Sequence, residues 1–386
     1  MDGCRHPPRT GEKNCPVLLI GQREQLRVGT TDNAVMPTLS LEPLAFEAFF
    51  WMTIVTLFCI VIDLGLLTLL PRLGLSFGSP VMPMLMFSSG RLVPVAAAVF
   101  LLSRLTLLSR FEVQCFAALV CLLELTLTAL AIYGLYVEPF RLGVTHVRLH
   151  SRRFYPDRPL RVLQISDLHV ERITSREREV VLQAQILQPD LIVLTGDYLN
   201  LDYNADPTAI RDARVVLSGL HAPLGVFAIL GTAGVDRPAS MAQLFDGLSI
   251  RLLDDEAVRL ALPLSGLHIV GVNVRPGDAA VLESCVAALP ADTYKLLLYH
   301  TPDLIETAAA VGVDLYLAGH THAGQVRLPF FGALVTSSRY WKRYESGRHL
   351  LGKTTLYVSR GIGMEGLRMP RIRFLAPPEV VLIELG

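Results

Sequence analysis

The chain has 386 residues with 35 basic and 35 acidic side chains, so its net charge is zero and it offers no electrostatic footing for a nucleic-acid partner. At 51% hydrophobic and 18% charged residues, with a mean hydropathy of +0.43, the composition excludes disorder and fibrous repeats and points to membrane segments. Six cysteines, at 4, 15, 59, 115, 121 and 285, are scattered without a CxxC spacing and imply no disulfide framework.

Residues 1–45 are polar and mixed in sign, lack the basic-then-apolar order of a signal peptide, and read as a loose tail. A transmembrane region follows over 46–137. Ala48 to Leu70 is a 23-residue apolar run with one charge, Asp63, long enough to cross a bilayer. Val113 to Val137 is a second span of 25 residues, with Glu124 near its middle and Tyr133 and Tyr136 near one interface. Between them, the apolar stretch runs either from Val81 to Ser103 with Arg91 at mid-depth, or from Leu92 to Ser109 with Arg104 inside. A lone arginine in the bilayer is costly, so Asp63 or Glu124 on a neighbouring helix is its natural partner; a proton or ion path is the sharper alternative.

Three crossings put the two ends of the chain on opposite sides. Arg141, Arg148, Arg152, Arg153, Arg158 and Arg161 follow the last span, against Arg23, Arg27, Arg104 and Arg110 on the other side. The positive-inside count therefore favours a cytoplasmic C-terminal domain in a protein integral to the cell membrane. Residues 138–157 read as a linker, and 158–386 as one domain of βα units. LRVLQIS (160–166) is a buried strand, and Thr174 with Glu177 forms a capping box opening a helix. LIVLTG, GVFAILG, LHIVGVN, KLLLYH and VDLYLAG continue the strand series, and GQVRLP, TTLYVS and EVVLIEL close it: a layered α/β domain with a mixed sheet.

Ligand-type residues stand directly after these strand runs, where α/β sheets build their sites. They are Asp167 and His169 in ISDLH, Asp197 in TGD, His300 in LLLYH, and His320 and His322 in GHTH. Singly, each has a bland explanation as a helix cap or hydrogen-bonded histidine. Together, two carboxylates and four imidazoles suit borderline divalent ions such as Mn²⁺, Fe²⁺ or Zn²⁺. Six ligands exceed the needs of one open catalytic ion. Two ions roughly 3.5–4 Å apart would use them all, activating a water and clamping a phosphoryl oxygen, which is phosphoester hydrolysis.

The series Asp167-Leu-His169, Gly196-Asp197, His300 and Gly319-His320-Thr-His322 resembles the calcineurin-like metallophosphoesterases, particularly their membrane-anchored bacterial subgroup. VEPFRLGVT, LLLYHTPD, GHTHAGQVRLP, LYVSRGIG and PPEVVLIEL also look like that subgroup, and the match covers about 138 to 386. The resemblance implies a four-layer α/β/β/α sandwich behind an all-α transmembrane segment. It implies Asp167, His169 and His322 on one ion, His300 and His320 on the other, and Asp197 bridging.

One block departs from the family: where it carries G-N-H-D/E, this chain reads Gly231-Thr232-Ala233-Gly234. Thr232 replaces an asparagine that ligates the second ion, which should then bind more weakly. Ala233 replaces a histidine that stabilises transition-state charge and protonates the leaving oxygen, and loss of positioned acid catalysis typically costs about 10²–10⁴-fold. The expected function is thus a membrane-anchored dimetal phosphomonoesterase or phosphodiesterase using metal-bound hydroxide, impaired by this block. The alternative is a catalytically idle metal-binding or regulatory membrane module. Asp236 is the sequence-local candidate to replace the lost group, with a helix-cap role before Arg237-Pro238 as its bland reading. Arg360 in SRGIG is a candidate for binding the substrate phosphate, against a salt bridge. Phe330, Phe331, Tyr340 and Trp341 could touch lipid, an apolar substrate or the core. The partners implied are the bilayer and a phosphoester, with tethering favouring a lipid-linked one; no nucleic-acid binding is expected.

Overall fold

The computed structural model describes residues 43–386 except 105–108, 152, 155–157, 261–265 and 366–369, so the tail over 1–42 lies outside the described residues. Among the described residues three helices are long and apolar enough to cross a membrane: α1 (Pro43–Arg72), α2 (Val81–Arg104) and α3 (Arg110–Ile132). α2 starts at Val81, which places Arg91 inside the span. Ser109 opens α3 with a capping box closed by Glu112. A π-turn and a 3₁₀ turn then carry the chain from Tyr133 to Phe140.

Arg91 is almost fully buried and meets both expected carboxylates. Its Nε lies 2.5 Å from Asp63 Oδ2, its Nη1 2.9 Å from Glu124 Oε2, and its Nη2 donates to Thr128 Oγ1 at 2.6 Å. One residue from α1, one from α2 and two from α3 therefore meet at mid-bundle, where the low dielectric makes an unpaired charge costly.

The domain begins earlier than expected. β1 (Gly143–Leu149), inside the stretch read as a linker, is an edge strand paired in parallel with the last strand, β14 (Glu379–Leu385). In chain order the rest runs β2 (Leu160–Ile165), α4 (Ser175–Leu187), β3 (Leu191–Leu194), α5 (Pro207–Ser218), β4 (Val226–Ala228), α6 (Pro238–Phe245), β5 (Arg251–Leu252), β6 (Glu256–Leu260) and β7 (Leu267–Gly271). It continues with α7 (Asp278–Ala287), β8 (Tyr294–Leu298), α8 (Ile305–Ala310), β9 (Leu315–Ala318), β10 (Arg327–Leu328), β11 (Gly332–Ala333), β12 (Gly347–Leu351) and β13 (Thr354–Val358).

Two six-stranded sheets result among the described residues, ordered β1-β14-β2-β3-β4-β5 and β12-β13-β9-β8-β7-β6. Alternation along the strands makes the layers. Leu160 and Val162 of β2, Leu191 and Val193 of β3, and Leu296 and Leu298 of β8 share one cluster between the sheets. The intervening Leu163, Ile192 and Leu194 face α4, α5 and α6 on one outer side, and Leu297 faces α7 and α8 on the other. This is the α/β/β/α sandwich. The expected capping box at Thr174 is present, with Glu177 accepting from the Thr174 backbone N–H at 2.7 Å.

Candidate metal centre

β2, β3 and β4 run parallel, as do β7, β8 and β9, so their carboxyl ends open at one edge of the two sheets. Asp167 and His169 leave β2, Asp197 leaves β3, His300 leaves β8, and His320 and His322 leave β9. Five of these six carry a positive φ: Asp167 (53°), His169 (42°), Asp197 (57°), His320 (68°) and His322 (49°). Left-handed backbone costs of order 1–3 kcal/mol per non-glycine residue and persists only where surrounding structure enforces it, typically at functional sites.

The loops interlock through backbone bonds. Asp167 N–H donates to Gly196 O at 3.0 Å, His169 N–H to Asp197 O at 3.1 Å, and Gly319 N–H to His300 O at 2.8 Å. His320 N–H reaches both Asp167 oxygens, at 3.0 and 3.1 Å. Glycines permit this closeness: a Cβ on Gly319 would stand 2.2 Å from Asp167 Oδ2, and one on Gly231 2.3 Å from Asp197 Oδ1. The glycine of GHTH thus serves close approach to the aspartate across the cleft.

All six side chains converge in two groups. Asp167, His169 and His322 form one; Asp197, His300 and His320 form the other; within each, one potential ligand atom per residue lies within 4.8 Å of the others. His169 Nε2 is 3.0 Å from His322 Nε2, and His300 Nε2 is 3.2 Å from His320 Nδ1. Asp197 Oδ2 lies between the groups, 3.1 Å from His300 Nε2 and 3.7 Å from His169 Nε2. His300 Nδ1 faces Thr195 O at 2.7 Å; donation there leaves Nε2 to point inward. Facing imidazole nitrogens with carboxylate oxygens between them form two donor groups, each of a kind that fits a divalent cation.

The electrostatics ready two imidazoles as neutral donors, while His300 must release a proton to bind a cation. Burial and then neighbouring histidine charge push His320 down, and burial, His169 and Arg373 push His322 well down, so both are neutral at neutral pH with lone pairs available. Burial opposes charge on His300, but the adjacent Asp197 carboxylate outweighs it and raises the histidine to about 10. Burial likewise opposes ionisation of Asp197, yet His300, His169 and the Thr232 N–H hold it below the usual carboxylate range.

At the altered block, Thr232 N–H donates to Asp197 Oδ1 at 2.7 Å and its hydroxyl to Oδ2 at 3.3 Å, while Ala233 presents a methyl to solvent. Asp236 differs from both sequence readings. Arg237, not Asp236, occupies the N-cap of α6, and the buried Asp236 carboxylate accepts from the backbones of Asp197 (2.8 Å), Tyr198 (3.0 Å) and Gly231 (2.7 Å). It ties the loops after β3 and β4 together. Burial and the Asp197 charge raise its pKa against these three donors.

Arg360 is engaged elsewhere: Nη2 is 2.6 Å from Glu379 Oε2 and Nε donates to Pro377 O at 2.9 Å. The arginine at the cluster is Arg373, fully buried, with Nη2 3.2 Å from His322 Nδ1 and its other donors on the carbonyls of Gly363 and Ala376. Glu365 Oε2 stands 3.4 Å from His169 Nδ1, a carboxylate beside the imidazole without a hydrogen bond between them. Sequence reading singled out neither Arg373 nor Glu365, because both sit in coil with no strand-end signal.

No family model matches the chain. Among curated proteins, the uncharacterized metallophosphoesterase YkuE of Bacillus subtilis is 31% identical over 260 residues, spanning 66% of this chain and 88% of its own length. Phosphodiesterase YaeI of Escherichia coli is 30% identical over 263 residues, 66% of this chain and 92% of that protein. The UDP-2,3-diacylglucosamine pyrophosphatase LpxG of Chlamydia trachomatis is 26% identical over 310 residues, 65% of this chain and 92% of its own. A dimetal phosphatase from Danio rerio aligns over 53% of this chain at 12% identity with a TM-score of 0.35. With its strand-end aspartates and histidines, its two-sheet sandwich and relatives matched over nine-tenths of their length, the chain belongs to the calcineurin-like metallophosphoesterases.

Proposed function

We propose that this protein is a membrane-held phosphodiesterase or phosphomonoesterase whose domain lies on the cytoplasmic side and acts on phosphoesters at the membrane, lipid-linked ones included. The observation that carries the reading is the convergence of Asp167, His169 and His322 with Asp197, His300 and His320. These residues would hold two divalent cations, Asp197 between them; manganese, iron and zinc all suit the donor set. A bound pair supplies an activated water and a clamp for the phosphoryl oxygens.

The chain's own contributions are orientation and exclusion. Thr195 O sets the ring of His300, and Asp236 holds the backbone that aims Asp197. No proton donor stands at Ala233, so the leaving oxygen departs with little help. This favours substrates whose leaving group is already a stable anion. The same vacancy of function at Thr232 and Ala233 supports a second reading, a metal-binding module without turnover.

The test is hydrolysis by the full chain, in detergent with Mn²⁺, of aryl phosphodiesters differing in leaving-group acidity. The expected result is turnover rising steeply with leaving-group acidity, and a shallower dependence in the Thr232→Asn/Ala233→His variant. That variant should gain about 10²–10⁴-fold on the poorest leaving group, the usual worth of a positioned acid. A wild-type rate indifferent to the leaving group contradicts the unassisted departure. No turnover on any ester by either protein favours the module.

A further inference from the structure

Two attachments fix the sandwich against the ends of the membrane helices. Between α1 and α2, Phe77 N–H donates to Glu171 Oε2 at 2.9 Å, Tyr203 OH donates to Phe77 O, and the Arg172 guanidinium lies 5.5 Å from the Phe77 ring centre. After α3, Glu138 accepts the backbone N–H groups of Leu375 (2.9 Å) and Ala376, and Arg373 N–H donates to Gly134 O at 3.0 Å. The α1–α2 loop and the end of α3 are therefore on the domain's side of the membrane.

The β10–β11 hairpin is rooted in the second attachment. Arg327 N–H donates to Phe374 O at 2.9 Å and Phe374 N–H to Gln325 O at 2.8 Å, while the Phe374 ring packs edge-on against Tyr133 at the end of the third span, 6.1 Å between centres. Glu345 stiffens the hairpin, pairing with Arg327 at 2.8 Å and accepting from Ala333 N–H at 3.0 Å. Yet this braced element turns its apolar side chains outward. Phe330 is fully exposed, Val335 71%, and Phe331, Leu334 and Trp341 about half. Lys342 Nζ stands 3.4 Å from the centre of the Phe331 ring and 5.9 Å from that of Trp341, so a cation and aromatic rings occupy one patch. A rigid cluster of bulky apolar side chains exposed to water is unfavourable, whereas aromatic rings beside a lysine suit the headgroup layer of a bilayer.

We infer that the β10–β11 hairpin, with Phe330, Phe331, Leu334, Val335, Trp341 and Lys342, enters the phospholipid interface beside the third span as a further membrane contact. Continuity with the helix end through Phe374 and Tyr133 selects the bilayer as its occupant, and Lys342 complements the phosphate layer. The hairpin begins at Arg327, five residues after His322, and its first contact residue, Phe330, is eight residues after it, so it brings the metal-ligand loop to the headgroup level.

The chain has two tryptophans, and Trp51 lies in α1. The Trp51→Phe protein in phospholipid nanodiscs thus reports from Trp341 alone. Replacing the lipid with one brominated near the headgroup should reduce its emission, and Phe330→Asp/Phe331→Asp in the same background should restore emission and shift it to the red. Equal emission from brominated and ordinary nanodiscs, with free quenching by aqueous iodide, overturns the inference. The readout needs no turnover, so its failure is distinct from failure of the hydrolase reading.

Discussion

Asp236 shows how a carboxylate can matter to a site without facing it. Three backbone N–H groups from two loops converge on it, and it is almost wholly removed from solvent. In the Asp236→Ala protein those donors lose their acceptor, each at a cost of about 1–3 kcal/mol, and the loops after β3 and β4 lose their tie. We expect a lower thermal midpoint together with weaker metal retention, measured by calorimetry and by metal content after dialysis. An unchanged midpoint would mean the loops are held by other bonds. The six ligand-type residues were legible because each follows an apolar strand run. Arg373 and Glu365 were not, and Asp236 was noticed without its role as a backbone acceptor, because the partners they serve lie across the fold: 39 residues separate Asp236 from Asp197, and 51 separate Arg373 from His322.

At the scale of elements, the three helices of the bundle meet at a buried polar junction. Arg91 meets Asp63, Glu124 and Thr128, one contact set per neighbouring helix; sequence allowed either Arg91 or Arg104 inside the middle span, and the start of α2 at Val81 decides for Arg91. Breaking a buried ion pair by removing one partner typically costs about 3–5 kcal/mol, whereas replacing the whole set by apolar residues is often neutral or better. Arg91→Met leaves Asp63 and Glu124 facing each other, so its thermal midpoint in detergent should fall. Asp63→Leu/Arg91→Met/Glu124→Met together should recover it. A triple variant no more stable than Arg91→Met would show that the junction does more than lock the helices, and would revive an ion-path role. By contrast β1 escaped sequence reading: GVTHVRL breaks its alternation at Thr145-His146 and sits in an arginine-rich stretch that reads as a linker. It is a strand because β14 supplies an open edge 236 residues later, a partner no local pattern reveals.

For the whole molecule, the two-sheet sandwich delivers all six residues to one edge, and the membrane helices hold that sandwich at two points. The layering was legible as alternation of apolar positions. The docking of sandwich to helices was not, since it depends on single residues such as Phe77 and Glu138 meeting distant backbone. The proposed function rests on the two residue groups holding metal together. The decisive measurement is metal per chain, by mass spectrometry, on the full-length protein loaded with Mn²⁺, paired with hydrolysis of a chromogenic phosphodiester. About two ions per chain with turnover are expected, falling to about one ion with turnover lost in His322→Ala, as a two-ion site requires. One ion or none in the wild type, with no turnover, would contradict the dimetal hydrolase and leave a tethered binding domain.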